Sequence, residues 1–339
     1  MFYKLAKKVA KNIPAIKTRI AYTRSLEEQL RELTMRDMEK RNLIETLHGL
    51  QEYVSDLFVE GSYRKVVTIT SKVGCPVVCR YCPQDQFVNA YLKRPNPIMQ
   101  MTYDTFCTIL NKIPSEVLVR FTGFVENMAN PDCIPMIMKA LEQHHVQIYS
   151  TMFNASVEDY ESFRSHPNLA TFCLHLPDMF GNTKFPITDK YKSLLRHIVL
   201  NPPVHGLFWT SCLGVGGGVM EEIADIITAN PNPISSYLGT VYDNYLHHGN
   251  ADLECHRDSS RIQEEYAGVM AVLPNGEVLA CTQDCELTAI IGNILEVESL
   301  DELLQSEERK KLRRGLTDPS LNTICRRCEL AVKKSVGKS

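Results

Sequence analysis

The 339-residue chain has no apolar run of the roughly 20 residues that a membrane-spanning helix needs. It has no excess of positive charge either: its net charge of −3 is unlike that of proteins that bind nucleic acids in general. Its N-terminal segment carries charges but lacks the uninterrupted apolar stretch of a secretory leader. We therefore expect a cytoplasmic protein with no nucleic-acid partner.

Cysteine, by contrast, is plentiful, with 12 residues. In a reducing compartment, clustered cysteines are more often metal ligands than disulfide partners. Three lie between positions 75 and 82, and five lie at or beyond position 255. The others stand alone on apolar backgrounds, as small buried side chains do. These isolated cysteines are Cys107, Cys133, Cys173 and Cys212.

The first 65 residues predict a helical extension. Residues 1–24 carry seven Lys or Arg and no acid, with apolar residues at three- and four-residue steps. This pattern fits a basic helix that contacts a membrane surface peripherally, and it also fits a helix packed on the main domain. Ser25 and Glu28 then form a capping-box pattern ahead of a longer helix.

Between residues 66 and 250, strand patterns alternate with helix patterns. Six such units in a row predict a parallel sheet, in the form of a partial (β/α)6 TIM-like barrel. The site of such a barrel lies at the carboxyl ends of its strands. The predicted strands are 66–73, 117–123, 146–152, 170–177, 205–211 and 234–241. The predicted helices are 103–112, 133–145, 157–165, 189–200 and 220–229.

The alternation stops near residue 251, and residues 251–332 predict a small C-terminal α+β domain. Residues 269–273 and 277–281 flank an Asn-Gly pair, which is typical of a β-hairpin. A helix is predicted from Leu300, because Ser299 and Glu302 form a capping-box pattern. We expect residues 333–339 to form a frayed tail.

The spacing C-x3-C-x2-C of Cys75, Cys79 and Cys82 delivers three thiolates and no fourth. A metal centre with three protein ligands keeps one coordination position open for chemistry. Placed after the first strand of a βα series, the motif resembles that of the radical S-adenosylmethionine (SAM) superfamily. The resemblance implies a 4Fe–4S cluster that binds SAM and cleaves it to a 5′-deoxyadenosyl radical, which abstracts a substrate hydrogen. A zinc site completed by a remote ligand is the alternative.

Further SAM-binding residues follow from the same resemblance. Tyr81 is the aromatic residue before the third cysteine, and its backbone is expected to meet the adenine. Gly123 and Glu126 resemble the family loop that holds the methionine amino group, although Val125 stands where a second glycine is usual. Thr151, at the end of the third predicted strand, is a candidate for a hydroxyl against SAM.

The C-terminal cysteines resemble the auxiliary-cluster domain of SPASM and twitch radical SAM enzymes. One auxiliary 4Fe–4S cluster uses four cysteines, and a structural zinc ribbon is the alternative. Cys285 is a spare ligand candidate or a thiol near the site. The four cysteines that would hold this cluster are Cys255, Cys281, Cys325 and Cys328.

The resemblance implies an oxidoreductase or an epimerase. Loss of an electron to the auxiliary cluster would oxidise the substrate, whereas a thiol that returns a hydrogen atom would epimerise it. Cys212 is the first candidate for that thiol and Cys285 the second. We expect a carbohydrate-like or other small-molecule substrate, and flavodoxin or ferredoxin as the reductant. A peptide-modifying enzyme and a non-catalytic Fe–S or zinc protein are the alternatives.

Overall fold

The computed structural model describes residues 65–203, 207–212, 218–231, 249–255, 268–328 and 331–334. The predicted N-terminal extension and the predicted strand at 234–241 lie outside these residues. Within the described ranges, no helix combines the length and the apolar character needed to cross a bilayer.

The main sheet has nine strands in the described residues, in the order β12-β11-β10-β1-β3-β4-β5-β7-β8. Neighbouring strands from β10 through β1 to β8 are parallel. With helices between these strands, the architecture confirms the predicted partial (β/α)6 barrel. The strands of this part are β1 (Lys65–Ile69), β3 (Leu118–Phe121), β4 (Val146–Ser150), β5 (Leu169–Leu176), β7 (Leu207–Cys212) and β8 (Asn230–Pro231).

Four amphipathic helices pack their apolar faces on one side of the parallel strands. Phe172 on β5 is fully buried there. The centroid of its ring lies within 6 Å of the ring centroids of Tyr160, Phe163 and Phe208. The hydroxyls of Thr102, Ser156 and Thr188 accept from backbone N–H groups at three of the helix starts, as N-cap residues do. The helices are α2 (Tyr103–Leu110), α3 (Cys133–Leu141), α4 (Val157–Phe163) and α5 (Asp189–Leu200).

The C-terminal hairpin continues the main sheet. Strand β10 (Gly268–Val272) is parallel to β1, and it turns through Gly276 into β11 (Glu277–Leu279). Gly276 has φ +84°, and a Cβ there would lie 2.7 Å from Leu295, so only glycine fits this turn.

The remaining C-terminal elements follow this hairpin. Helix α6 begins at Leu300 with the predicted Ser299–Glu302 capping box. These elements are β12 (Ile290–Asn293), α6 (Leu300–Leu304) and α7 (Glu307–Arg314), together with the paired strands β9 (Leu253–Cys255) and β13 (Ala331–Lys333).

Two local features differ from the prediction. The helix predicted at 220–229 is wrong: only a 3-10 turn, Glu221–Ile223, forms before the chain extends to pair β8 with β7. In addition, the chain after the cysteine motif forms an unpredicted helix, α1 (Gln84–Tyr91), and residues within the motif form part of an unpredicted two-strand ribbon. The ribbon pairs β2 (Val78–Cys79) with β6 (Thr183–Lys184) across about 100 residues, a contact that no local pattern reveals.

Replacing Phe172 with Ala should lower the free energy of unfolding by about 3–5 kcal/mol, because the cavity removes contacts with three rings. Urea denaturation of the full chain measures the change. Phe180→Ala is the matched control, because Phe180 is 53% exposed, and it should stay within about 0.5 kcal/mol. Equal losses in the two variants would contradict this view of the core.

Candidate functional site

The cysteine loop lies at the carboxyl end of β1, and the β2–β6 ribbon holds it in place. Cys79 pairs with Thr183 in this ribbon, and the Arg80 N–H donates to the Asn182 carbonyl at 2.8 Å. The loop is therefore fixed by backbone pairing to the segment that follows β5, and its three sulfurs lie at the end of the sheet where the site was expected.

Each of the three sulfurs has a hydrogen-bond donor beside it. The Glu126 backbone N–H donates to Cys75 Sγ at 3.2 Å, and Gln84 Nε2 donates to Cys82 Sγ at 3.4 Å. The side chains of Tyr81 and Thr183 provide hydrogen bonds to Cys79. Donors stabilise a thiolate more than a thiol, so the surroundings are arranged for negatively charged sulfur.

Burial raises the pKa of each of these thiols, Cys75, Cys79 and Cys82, to about 11. Three partly buried thiolates therefore require a positively charged centre, which deprotonates the thiols that coordinate it. This donor set fits an iron–sulfur cluster, in which each cysteine binds a different iron atom. Among the described residues, no three His, Cys, Asp or Glu side chains converge closely enough for a single metal ion.

The loop after β3 approaches β1 at Gly123. This glycine has φ +100°, and a Cβ there would lie 2.6 Å from Thr70 Oγ1 and 3.1 Å from Thr68 Cγ2. Both constraints exclude larger residues at this position. Val125, the departure from the family pattern, is buried in the same loop and is not among the residues of positive φ. In this loop, Gly123 has the positive φ that requires glycine, and Val125 does not.

The carboxylate of Glu126 is buried and accepts four hydrogen bonds. Its Oε1 accepts from Ser150 Oγ at 2.7 Å and from the Met128 N–H at 3.1 Å. Its Oε2 accepts from the N–H and the hydroxyl of Thr151, at 2.6 and 2.7 Å. A carboxylate has about four acceptor positions, and protein donors fill them here. The side chain therefore ties the Gly123 loop to the end of β4.

The other predicted SAM-binding residues lie around the same loops. Thr151 is held by Glu126, and the Tyr81 hydroxyl lies 3.0 Å from Thr183 Oγ1. The carboxylate of Asp178 is also buried, and it accepts from the N–H groups of Phe180 and Thr183 at 2.9 and 2.7 Å. Asp178 thus shapes the turn that carries β6.

Two amides in these loops carry contacts that motif reasoning missed. Asn127 Oδ1 accepts from the Ser71 hydroxyl at 2.6 Å, and its Nδ2 donates to the Thr122 carbonyl at 3.0 Å. Gln84 joins the cysteine loop to the Gly123 loop by contacts with both. The Asn127 amide therefore holds this loop to the end of β1.

On β3, β4 and β5, the face opposite the helices carries polar side chains. Arg120 Nε donates to Gln147 Oε1 at 2.7 Å, and the Arg120 guanidinium lies 5.4 Å from the Tyr149 ring centroid. The ring of His175 meets that of Tyr149 edge-on at 5.9 Å, and burial lowers the pKa of His175 to about 4. Barrel interiors are usually filled by bulky branched side chains, so a polar lumen is typical of a binding site.

The structure buries both candidate thiols, and it places Cys212 on the helix-facing side of the sheet. In the strand register, Cys212 neighbours Leu176, which belongs to the helix-facing core, and the Cys212 thiol donates to the Gly218 carbonyl at 3.2 Å. Cys285 is buried in an apolar cluster with Phe87 and Phe124. Within the described residues of β5, Cys173 is a thiol on the lumen face, 3.8 Å from Ser211 Oγ, although its isolation in the sequence is typical of a buried side chain without a chemical role.

The four C-terminal cysteines surround one small apolar cavity. Gln283, Leu316, Ile324 and Ala331 complete its lining. Cys255 ends β9 and pairs with Ala331 of β13, which brings it beside the later cysteines. The Gln283 N–H donates to Cys281 Sγ at 3.4 Å. Four thiols around one dry cavity fit a cluster with no open coordination position. These cysteines are Cys255, Cys281, Cys325 and Cys328.

Comparison with known proteins gives one family match, to SPASM, described as an iron-sulfur cluster-binding domain, over residues 266–329. The match includes Cys281, Cys325 and Cys328, and Cys255 lies before it. No curated protein matches the chain.

Among solved structures, BtrN in complex with AdoMet and 2-DOIA has a TM-score of 0.51 at 12% identity, covering 81% of this chain and 94% of BtrN. SuiB of Streptococcus suis, bound to its precursor peptide SuiA, has a TM-score of 0.46 at 13% identity, covering 85% and 75%. Native anSMEcpe with bound AdoMet and the Cp18Cys peptide has a TM-score of 0.47 at 12% identity, covering 78% and 86%.

The fold and the domain match together confirm the predicted resemblance: the chain shares the fold of BtrN, and its residues 266–329 match the SPASM iron-sulfur cluster-binding domain.

Replacing Gly123 with Ala should destabilise the chain by about 2–3 kcal/mol, because the backbone strain adds to the clash with Thr70. Gly249→Ala is the matched control, because Gly249 also has positive φ but has open space where a Cβ would lie. That variant should lose about 1 kcal/mol in the same denaturation assay. If the two glycines respond alike, the close approach to β1 does not matter.

Proposed function

We propose that this chain is a radical SAM enzyme, with Cys75, Cys79 and Cys82 as ligands of the SAM-binding cluster. The observation that carries the proposal is the set of three partly buried sulfurs, each beside its own donor, at the carboxyl ends of parallel strands. When bound, the cluster and SAM supply the hydrogen-atom abstraction that amino-acid side chains alone do not perform. Tyr81, Gly123, Glu126 and Thr151 lie around the same opening and shape the proposed SAM pocket.

The polar lumen supports a small hydroxyl-bearing substrate, such as a carbohydrate-like polyol. His175 is uncharged near neutral pH because burial lowers its pKa to about 4, so its imidazole offers one donor and one acceptor. A hydroxyl group is also both donor and acceptor. His175, Tyr149 and Ser211 lie near the carboxyl ends of β5, β4 and β7, where a substrate in the lumen would meet them.

The placement of the thiols favours oxidation over epimerisation. Epimerisation requires a thiol that reaches the substrate carbon. Cys212 neighbours Leu176 of the helix-facing core, and Cys285 is enclosed in an apolar cluster. Oxidation requires an electron acceptor after the hydrogen atom has left. The cavity formed by Cys255, Cys281, Cys325 and Cys328 would hold a redox-active cluster for this purpose. Cys173, beside Ser211 on the lumen face, is a further thiol that an epimerase would use.

The cluster assignment is tested by anaerobic reconstitution of the full chain, iron analysis and a SAM-cleavage assay with dithionite. We expect about eight irons per chain and formation of 5′-deoxyadenosine. Cys79→Ala should lose about four irons and all cleavage, because the SAM-binding cluster loses a ligand. Cys325→Ala should also lose about four irons but keep cleavage in the absence of substrate.

Cys107→Ala is the matched control, since Cys107 is a partly buried cysteine on α2, and it should lose neither iron nor cleavage. Zinc in place of iron, or no 5′-deoxyadenosine from the wild-type chain, would refute the proposed function.

The substrate class is tested with a panel of sugars and cyclitols in D2O, measuring 5′-deoxyadenosine formation above the substrate-free level. His175→Leu should reduce this substrate-dependent increase at least tenfold, a loss of about 1.4 kcal/mol, and leave substrate-free cleavage unchanged. His145→Leu, an exposed histidine before β4, is the control.

The product in D2O separates the two reactions. Oxidation gives a product without solvent deuterium at the abstracted carbon, whereas a thiol that returns hydrogen incorporates it. If Cys212→Ala stopped turnover while abstraction continued, epimerisation through Cys212 would replace our proposal. Stimulation by peptides alone would favour a peptide-modifying enzyme.

A further inference from the structure

Gln84, the first residue of α1, uses its side-chain amide to join three parts of the candidate site. Its Oε1 accepts from the Cys75 backbone N–H at 3.2 Å. Its Nε2 donates to the Phe124 carbonyl at 2.5 Å and to Cys82 Sγ at 3.4 Å. One amide therefore contacts the first and third cysteines and the Gly123 loop.

The partners determine how this amide is oriented. The Cys75 N–H is a donor, so the amide oxygen must face it, and the Phe124 carbonyl is an acceptor, so the amide nitrogen must face that. The second N–H of the same nitrogen is then directed to the sulfur of Cys82. In a flipped amide, the Gln84 N–H groups would face the Cys75 N–H, and the Gln84 oxygen would face the Phe124 carbonyl oxygen.

Packing restrains the side chain in this position. The rings of Phe87, on the same helix, and Phe124 are stacked with centroids 4.4 Å apart and planes 12° apart. Both rings are almost fully buried. Helix α1 and the Gly123 loop are therefore held together by apolar contact and by the Gln84 hydrogen bond at once.

We propose that Gln84 is a positioning residue that holds the Gly123 loop on the cysteine loop and raises the reduction potential of the cluster bound there. The inference rests on the proposed function, since it requires a cluster on Cys82. Reduction adds negative charge to a cluster and its thiolates. An N–H directed at a ligand sulfur stabilises that charge and so favours the reduced state.

The other donors to the three sulfurs cannot be removed by a side-chain substitution as selectively as Gln84 can. The donor to Cys75 is the backbone N–H of Glu126, which no side-chain substitution removes. Of the side chains at Cys79, Thr183 belongs to the β2–β6 ribbon, and the Tyr81 hydroxyl contacts Thr183. Gln84 therefore offers a substitution that removes an N–H···S contact and leaves the cysteine loop backbone in place.

The test compares Gln84→Met, which keeps the length of the side chain without its polar atoms, with Gln84→Glu, which keeps the acceptor and replaces the donor. The reduction potential of each reconstituted full-length variant is measured by potentiometric titration followed by EPR. The SAM-binding cluster is identified by the signal that changes when SAM is added. We expect both variants to shift this potential to more negative values.

Two controls accompany these variants. Gln86→Met lies two residues further along α1 and is exposed, so its potential should equal that of the wild type. The auxiliary cluster in the same samples should not shift, because Gln84 is not among the residues that line the four-cysteine cavity.

An unchanged potential in Gln84→Met and Gln84→Glu, with full iron content, would overturn the proposal. Loss of the SAM-binding cluster in both variants would also overturn it, because the role of Gln84 would then be structural alone. A wild-type chain without SAM cleavage would instead refute the proposed function, and it is assayed first.

Discussion

The burial of three neighbouring thiols is the constraint on which the rest of this structure depends. Thiolates repel one another and lose hydration when they are buried, which is why the pKa values of Cys75, Cys79 and Cys82 rise to about 11. Only a cationic centre and directed donors make such a set of sulfurs favourable. The surrounding loops provide the donors, and a three-cysteine set leaves one coordination position open, as the proposed function requires.

Several long-range contacts hold these loops in register. The β2–β6 ribbon fixes the middle of the cysteine loop, and the absence of a side chain at Gly123 lets the next loop approach β1. Glu126 joins that loop to the end of β4, while Gln84 joins it to the cysteines. The site is thus assembled from the ends of β1, β3 and β4 and from the segment after β5, as expected where parallel strands share one edge.

The two faces of the parallel strands differ in role: one packs against the helices, and the other carries polar side chains. Phe172 and its neighbours pack against the helices, and their contacts stabilise the barrel without touching the site. The opposite face carries Arg120, Gln147, Tyr149 and His175, whose burial is unfavourable unless polar partners or a ligand satisfy them. On the other side of β1, strand β10 extends the same sheet toward the four-cysteine cavity, so the barrel and the C-terminal hairpin share one backbone network.

The sequence by itself determined the features that depend on short-range chemistry. These are the cysteine spacing, the alternation of strands and helices, the Asn-Gly hairpin and the Ser299 capping box, each set by neighbouring residues. Only the tertiary structure decided which side of a strand a residue occupies within the barrel. It therefore decided that Cys173 and His175 face the lumen and that Cys212 does not. It also decided the contacts of Gln84 and the β2–β6 ribbon, because these join residues far apart in the chain, whose meeting depends on how the whole sheet is ordered.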